Sequence, residues 1–166
     1  MYIATQKNPD KHELSHLFET SFACMLEEGN FSPELNQSLF EWFDMDEMIT
    51  ELQKGGVLLE ARDDENKLVG ALFLAKQNRI TWPDGKKAEI YIVATLPEAR
   101  GKGIGKRLLL EAEDAAREME AKSIIANTHV LANLVAAFYE KQGYQKMGIL
   151  NDYYDNGDAV FFQKKL

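Results

Sequence analysis

Hydrophobic positions recur with a helical period in the first third of this chain. The first series follows Asp10, a suitable N-cap, and comprises Leu14, Leu17, Phe18, Phe22, Met25 and Leu26. The second series ends before Gly55-Gly56 and comprises Leu35, Leu39, Trp42, Phe43, Ile49 and Leu52. The pattern predicts two consecutive helices, which follow a short opening strand at residues 1–5.

Extended runs replace the helical period in the middle of the chain. VLLEA (57–61) and KLVGALFLA (67–75) flank the turn-like DDEN (63–66), which predicts a β-hairpin. A turn at WPDG (82–85) precedes AEIYIVAT (88–95), which is rich in β-branched and aromatic residues. This region therefore predicts three successive strands.

The last part of the chain alternates between the two periods. The predicted elements are a helix from Ile104 through Met119, a strand at 123–127, a helix at 133–142, and strands at 144–150 and 159–165. Gly143 suits the position after a helix, and 151–158 is turn-like. The order β-α-α-β-β-β-α-β-α-β-β predicts one domain over residues 1–166 with an α/β (α+β layered) fold, in which helices pack on both faces of a mixed sheet.

Charge and composition narrow the function classes. The 166 residues carry 19 basic and 27 acidic side chains, so the net charge is −8. Such a surface repels nucleic-acid backbones and attracts cations, among which amines are the obvious candidates. No apolar run reaches the roughly 18 residues of a membrane span, and the start MYIATQKNPDKHE lacks the features of a signal peptide. We therefore expect no nucleic-acid partner, no membrane partner and a cytoplasmic location.

Cysteine and histidine usage predicts no metal site. The single cysteine, Cys24, cannot form an internal disulfide and is predicted to be a buried thiol of the first helix. His12, His16 and His129 have no metal-ligand spacing and are predicted to lie at the surface. This usage fits a reducing compartment.

The most informative segment is TLPEARGKGIGKRLL (95–109), in which a strand is followed by a glycine-rich loop and a helix. Gly101, Gly103 and Gly105 allow a ligand to approach the backbone closely. The start of a helix presents unpaired amides and the positive end of its dipole. The basic residues of the segment are Arg100, Lys102, Lys106 and Arg107. Four positive charges within eight residues of an acidic protein indicate a phosphate ligand.

Two common nucleotide-binding motifs do not fit this segment. A Rossmann fingerprint requires a glycine where Lys106 stands. A P-loop requires a glycine where Arg100 stands and a serine or threonine where Arg107 stands. A glycine-rich turn with basic residues on a helix surface is the alternative that needs no ligand.

Two motifs in this sequence resemble those of the GNAT superfamily of acyl-CoA-dependent N-acyltransferases. Arg100 to Gly105 matches the family signature Q/R-x-x-G-x-G/A in full, and NLVAAFYEKQGY (133–144) is similar to the downstream helix motif in its shorter form. The resemblance covers residues 57–166 well and the first 55 only by element order. It implies the GNAT fold, with a mixed, mostly antiparallel sheet of six to seven strands, and acetyl-CoA as the acyl donor.

The resemblance also implies which residues bind the cofactor. In GNAT proteins the amides of the glycine-rich loop bind the CoA pyrophosphate, and the preceding strand pairs with the pantetheine arm through its backbone. Carried over, the cofactor-binding residues are Val93, Ala94, Thr95, Arg100, Gly101, Lys102, Gly103, Ile104, Gly105, Lys106 and Asn133. Thr95 departs from the family's usual valine, and Asn133 alternatively serves only as a helix N-cap.

Two catalytic residues follow from the same resemblance. Tyr139 matches the family tyrosine that protonates the departing CoA thiolate. Glu89, 11 residues before Arg100, matches a strand glutamate that acts as general base in several GNAT enzymes. A base is needed because a lysine-like amine, with a pKa of about 10.4, is mostly protonated. The alternatives are a core aromatic for Tyr139, and for Glu89 a solvated strand residue, with water as the base.

Trp42, Tyr153 and Tyr154 are the predicted acceptor-binding residues. GNAT proteins often build the acceptor pocket from the region of Trp42, and a tail similar to YYDNGDA (153–159) occurs in the branch that acetylates protein N-termini. Helical core is the alternative role for Trp42, and a simple hairpin turn is the alternative for the tail. The acceptor would be an amine-bearing small molecule or peptide, and the family's frequent dimers imply that a homodimer can form.

We interpret the sequence as an N-acetyltransferase that moves an acetyl group from acetyl-CoA to a primary amine, by direct attack in a ternary complex and without a metal. The alternative from another class is a non-catalytic acyl-CoA-binding regulatory module. A weaker alternative is a nucleotide-binding protein that uses the same loop for another phosphate.

Overall fold

A seven-stranded sheet organises the part of the chain that the computed structural model describes, which is residues 1–29, 44–77, 86–154 and 157–166. Of residues 24–29 only the helical backbone is described, so the predicted burial of the Cys24 thiol lies outside the described side chains. The predicted turn at 82–85 and the first part of the second helical pattern, with Trp42, also lie outside.

Four α-helices and seven strands occur within the described ranges. In chain order they are β1 (Tyr2–Gln6), α1 (Lys11–Gly29), α2 (Met45–Gln53), β2 (Val57–Arg62), β3 (Leu68–Gln77), β4 (Lys87–Thr95), α3 (Ile104–Glu118), β5 (Ser123–His129), α4 (Asn133–Lys141), β6 (Gln145–Tyr154) and β7 (Gly157–Lys165). A short 3-10 turn (Pro97–Ala99) links β4 to the glycine-rich loop. The predicted order of elements is therefore confirmed.

The strands lie side by side in the order β1-β2-β3-β4-β5-β7-β6. Every neighbouring pair is antiparallel except β4 and β5, which are parallel. A parallel pair requires a crossover connection, and α3 provides it. The mixed, mostly antiparallel sheet predicted from the sequence is confirmed.

Helices cover both faces of the sheet centre. Residues Leu68–Ala75 of β3 are all buried, so neither face of this strand meets solvent. Leu14, Leu17 and Phe18 of α1 contribute to the hydrophobic core, as do Leu108 and Leu109 of α3. Leu17 and Phe18 lie three and four positions after Leu14, and the buried Ala112 lies four and three positions after Leu108 and Leu109. This spacing directs one face of each helix to the sheet.

The final hairpin differs from its prediction. Strand β6 continues to Tyr154 and β7 begins at Gly157, so strand structure occupies most of the segment that composition marked as a turn. Asp152 has a positive φ of 53°, and the β6–β7 register shifts between Leu150 and Tyr154. The turn-forming residues therefore produce an irregularity within the hairpin, and its strands are longer than predicted.

Candidate active site

The functional region begins where the two parallel strands separate. Strand β5 pairs with β4 only from Lys87 to Ile90, although β4 continues to Thr95. Tyr91 is an extra residue in the pairing with β3, because Phe73 faces Ile92 and Leu74 faces Ile90. Such a bulge increases local twist, and the separation from β5 starts at this point. In the described structure the β5-facing edge of residues 91–95 is thus left without a strand partner.

An open cleft of about 710 Å³ lies along this separation. It is lined by the end of β4, the glycine-rich loop, the start of α3, and α4 with the loop before it. The predicted cofactor-binding residues that line it are Val93, Ala94, Thr95, Arg100, Gly101, Gly103, Ile104, Gly105, Lys106 and Asn133. The structure therefore brings together all but one of the predicted cofactor residues, the exception being the exposed Lys102.

The glycine-rich loop leaves a run of backbone amides without intramolecular partners. Within the described ranges, the N–H groups of residues 101–106 donate to no backbone carbonyl, and the first helical hydrogen bond runs from Arg107 to the Gly103 carbonyl at 3.1 Å. Gly101 and Gly103 have positive φ angles of 73° and 78°, with no heavy atom within 4 Å of where a Cβ would be. Free amides, the positive end of the α3 dipole and open space together suit a diphosphate group.

The charge of the cleft is opposite to that of the chain. Of the described lining residues, Arg100, Lys106 and Lys141 are cationic and none is acidic, whereas the protein as a whole carries −8. Phe22, Leu134 and other apolar residues form the remaining wall. The arrangement fits an elongated ligand with anionic groups at one end and an apolar or amide-bearing arm.

Helix α1 holds the loop and the strand end in place. The Ser21 hydroxyl donates to the Thr95 carbonyl at 3.1 Å, and Arg100 donates through Nη2 to the Ser21 carbonyl at 3.2 Å. Ser21 is only 4% exposed. The sequence analysis missed Ser21, because a single serine on an amphipathic helix carries no signal until the helix is docked.

Helix α4 carries Asn133 and Tyr139 in different settings. Asn133 is the first residue of α4, its N-cap is Ala132, and no side-chain cap bond forms there, so Asn133 does not act as the helix N-cap. Tyr139 is buried, and its ring packs 5.4 Å from that of Tyr144 and 5.5 Å from that of Phe162. Burial raises the pKa of Tyr139 well above its usual value near 10.

Tyr139 does not line the cleft, but its ring lies 5.7 Å from that of Phe138, which does. Val135 and Gln142, four residues before and three after Tyr139, both line the cleft, as does the adjacent Phe138. Residues at these spacings share one side of a helix. Tyr139 therefore adjoins residues of the cleft wall and also packs in the aromatic core.

Glu89 lies on β4 where the two strands are still paired, opposite Ile125 of β5. The carboxylate accepts hydrogen bonds from Gln77 Nε2 and, at 3.5 Å, from Asn127 Nδ2. Glu89 is half-buried and is not among the residues that line the cleft.

The predicted acceptor residues fall into two groups. Trp42 lies outside the described residues. Tyr153 and Tyr154 lie at the end of β6, with ring centroids 5.0 Å apart. Tyr154 is buried and donates to Asn127 Oδ1 at 2.5 Å, while Tyr153 remains 36% exposed. Neither tyrosine lines the cleft, but Tyr154 connects through Asn127 to Glu89.

The predicted surface position of His129 is wrong, since this side chain is only 3% exposed. His129 Nδ1 accepts a hydrogen bond from the Leu131 N–H at 3.1 Å, and its ring stacks on Tyr154. Leu131 lines the cleft. His129 thus fixes the start of the loop that forms one wall. The sequence gave no signal for this, because the contact joins β5 to the distant β6.

The chain is similar in sequence and in fold to known acetyltransferases. The family model described as Acetyltransferase (GNAT) family matches residues 12–144. A PaiA N-acetyltransferase from Thermoplasma acidophilum, solved in complex with coenzyme A, has a TM-score of 0.75, covers 100% of both chains and is 24% identical. That likeness is one of fold.

Two curated relatives match part of the chain. An IAA acetyltransferase from Azospirillum brasilense is 32% identical over 83 residues, which are 50% of this chain and 54% of the relative. A Bacillus subtilis (strain 168) protein, named as a candidate [ribosomal protein bS18]-alanine N-acetyltransferase, is 33% identical over 100 residues, 57% of this chain and 66% of the relative. The chain thus spans about half to two-thirds of the length of these relatives.

The fold places the N-terminus of α3 and the end of β4 along one open cleft. This chain belongs to the GNAT acetyltransferase family. No helix in the described ranges has the length and apolar character needed to cross a membrane. Those same residues contain no group of histidine, cysteine and acidic side chains that could hold a metal ion.

Proposed function

We propose that this protein is an N-acetyltransferase that transfers an acetyl group from acetyl-CoA to a primary amine of a small molecule or a peptide N-terminus. One observation carries the proposal: the end of β4 at Val93–Thr95, beyond its pairing with β5, lines the same cleft as the glycine-rich loop. Within the described residues the amides of 101–106 donate to no backbone carbonyl. A strand edge and an anion cradle at this separation suit a ligand that has an amide-bearing arm and a diphosphate.

The residues of the cleft fit acetyl-CoA. The amides of residues 101–106 would hold the diphosphate, with Arg100, Lys106 and Lys141 supplying positive charge. The edge of β4 at Val93–Thr95 would pair with the amides of the arm. Acetyl-CoA, when bound, supplies a thioester whose carbonyl carbon accepts the amine.

Proton removal from the amine is assigned to Glu89, either directly or through water. Its two hydrogen-bonded neighbours fix the carboxylate at the base of the separation between β4 and β5. A positioned carboxylate can accept the proton as the C–N bond forms. A backbone N–H near Val93 would stabilise the negative charge that develops on the thioester oxygen.

Proton delivery to the leaving sulfur is assigned to Tyr139. A general acid must hold its proton at the working pH, and the raised pKa of this buried phenol ensures that it does. Its ring contact with the cleft-lining Phe138 supports a place next to the cleft wall. As the C–S bond breaks, the thiolate would take the phenolic proton.

The class of acceptor is supported by charge and by the relatives. A chain with a net charge of −8 attracts cationic amines. The name of the Bacillus subtilis relative refers to an alanine of a ribosomal protein, so peptide N-termini belong in the acceptor class along with small amines.

Release of the CoA thiol from acetyl-CoA, with and without a panel of amines, tests the proposal. The panel contains polyamines, amino acids, aminoglycosides and short peptides that start with Ala, Ser or Met, and hydrolysis sets the baseline. We expect one amine class to stimulate release. Thermal stabilisation by acetyl-CoA with no stimulated release from any amine would instead support the non-catalytic binding module.

Two substitutions test the assigned roles. Tyr139→Phe should lower kcat by about 100-fold, since a general acid contributes on that order, while Tyr144→Phe, in the adjacent buried ring, should leave kcat unchanged. Full turnover by Tyr139→Phe at every pH would contradict the acid role. Glu89→Gln should abolish the acidic limb of the pH–rate profile, and an unmoved profile would remove Glu89 as the base.

A further inference from the structure

Four polar side chains form a continuous hydrogen-bonded chain that the proposed mechanism does not use in full. Gln77 Nε2 donates to Glu89 Oε2, and Asn127 Nδ2 donates to Glu89 Oε1 at 3.5 Å. The Tyr154 hydroxyl donates to Asn127 Oδ1 at 2.5 Å. The chain runs from the end of β3, through β4 and β5, to the end of β6.

The Glu89 carboxylate, which lies between Gln77 and Asn127, sets the direction of every hydrogen bond in the chain. An ionised carboxylate only accepts hydrogen bonds, so Asn127 must turn its NH₂ group toward Glu89. Its carbonyl oxygen then faces Tyr154, which can only donate to it. The Tyr154 hydroxyl thus selects the orientation of the Asn127 amide that suits an ionised Glu89.

The position of Asn127 gives this chain a functional setting. The last recorded β4–β5 pair joins Ile90 to Ala126, so Asn127 is the first residue of β5 beyond the pairing. Tyr154 is held against His129, with ring centroids 5.8 Å apart and planes 26° apart. Tyr154 is only 7% exposed, so the side chain that donates to Asn127 is packed inside the protein.

The charge of Glu89 acts on three tyrosine hydroxyls around it. Burial raises the pKa values of Tyr91 on β4 and of Tyr153 and Tyr154 on β6, and the charge of Glu89 raises them further. Tyr91 in turn donates to Glu47 of α2 at 3.1 Å. These phenols therefore stay neutral near pH 7.

We propose that Asn127 is a positioning residue that orients the Glu89 carboxylate for proton transfer, and that the Tyr154 hydroxyl fixes the orientation of Asn127. The inference rests on the proposed function, in which Glu89 is the base. Asn127 and Tyr154 touch neither the amine nor the thioester in this account.

Asn127→Asp tests the contact and its consequence together. It replaces the donor beside Glu89 by a second carboxylate, which should raise the titration midpoint of the pair by about one pH unit or more. The midpoint is measured by ¹³C NMR of labelled glutamate carboxyl groups, with Glu89→Gln identifying the resonance. The acidic limb of the pH–rate profile should move by the same amount. Asn8→Asp, the same change at an exposed position before α1, should move neither.

Tyr154→Phe tests the second step without changing charge. Loss of the donor lets the Asn127 amide turn over, and we expect kcat to fall about fivefold, with the KM for acetyl-CoA unchanged. Tyr2→Phe is the matched control, because the Tyr2 hydroxyl also donates to an asparagine oxygen, that of Asn66, at the opposite edge of the sheet.

The outcomes separate this inference from the proposed function. A Glu89 midpoint in Asn127→Asp within about 0.3 pH unit of wild type overturns the positioning role, even if Glu89→Gln alters the pH–rate profile. A shifted midpoint with no effect of Glu89→Gln on that profile removes the base role and this inference with it, while stimulated CoA release would still establish transfer. In Tyr154→Phe, the KM for acetyl-CoA could rise by the same factor by which kcat falls. That result would indicate general damage to the cleft and would also overturn the inference.

Discussion

The glycine-rich loop allows a direct test, because the chain has one glycine with a positive φ angle in this loop and another outside it. Gly103 has φ of 78° at the N-cap of α3, and Gly55 has φ of 101° just after α2. Neither has a heavy atom within 4 Å of where a Cβ would be. Of these two glycines, Gly103 lines the cleft and Gly55 does not. Gly103→Ala and Gly55→Ala therefore both place an alanine at a positive φ, and they differ in their relation to the cleft.

The magnitudes follow from the conformation and from the amides. An alanine at a positive φ costs about 1 to 2 kcal/mol, so each variant should lose a few degrees of Tm without ligand. At Gly103 the added methyl also projects into the cradle. Loss of one hydrogen bond to a charged group weakens binding by about 1.5 kcal/mol or more, roughly tenfold in Kd.

Thermal unfolding at a fixed acetyl-CoA concentration reads out this difference. At a concentration of about 100 times the wild-type Kd, the ligand stabilises the protein by about 2.7 kcal/mol, and a tenfold weaker Kd reduces this to about 1.4 kcal/mol. We expect Gly55→Ala to keep the full ligand-induced rise in Tm and Gly103→Ala to keep about half. Equal rises in the two variants would refute the assignment of the loop as the diphosphate cradle.

Three further predictions concern the scaffold. Gly56→Ala would place a Cβ 2.8 Å from the Phe73 ring, so it should lower the unfolding free energy by about 1 to 3 kcal/mol in urea titrations. Lys164→Met leaves the buried Glu113 carboxylate without its 2.7 Å partner and should cost about 3 kcal/mol, most of which Glu113→Leu in the same chain should restore. A hydrogen bond from Lys11 of α1 lowers the pKa of Asp46, so the ionised Asp46 stabilises the fold above about pH 4 and this stabilisation is lost below it. Asp46→Asn should therefore narrow the difference in Tm between about pH 6 and about pH 3. An unchanged difference would contradict this prediction.

The element order was predictable because each element carries its own local signal. The heptad-like spacing of Leu14, Leu17 and Phe18, the alternation in 88–95 and the glycine after 133–142 are properties of neighbouring residues. The glycine-rich loop was equally visible, since its chemistry depends on consecutive backbone amides. Of the eleven cofactor residues that the family resemblance implies, ten line one cleft.

The side-chain environment of the candidate site was not predictable in this way. His129 was expected at the surface and is buried, because the strands that cover it, β6 and β7, follow it in the chain. Ser21 and Asn127 gave no signal, since each acts through a partner more than 25 residues away. A pattern of neighbouring residues contains no information on such pairs.

The sequence by itself therefore determined the order of helices and strands, the resemblance to the GNAT family, and the loop that presents free amides. Only the tertiary structure decided that β4 and β5 separate after Ile90, that Tyr139 is buried beside Phe138 of the cleft wall, and that Glu89 is held by Asn127 and Gln77. The physical reason is one of range. Backbone conformation and helix-end electrostatics depend on residues a few positions apart, whereas burial and the hydrogen-bond partners of a carboxylate depend on which distant strands are packed together.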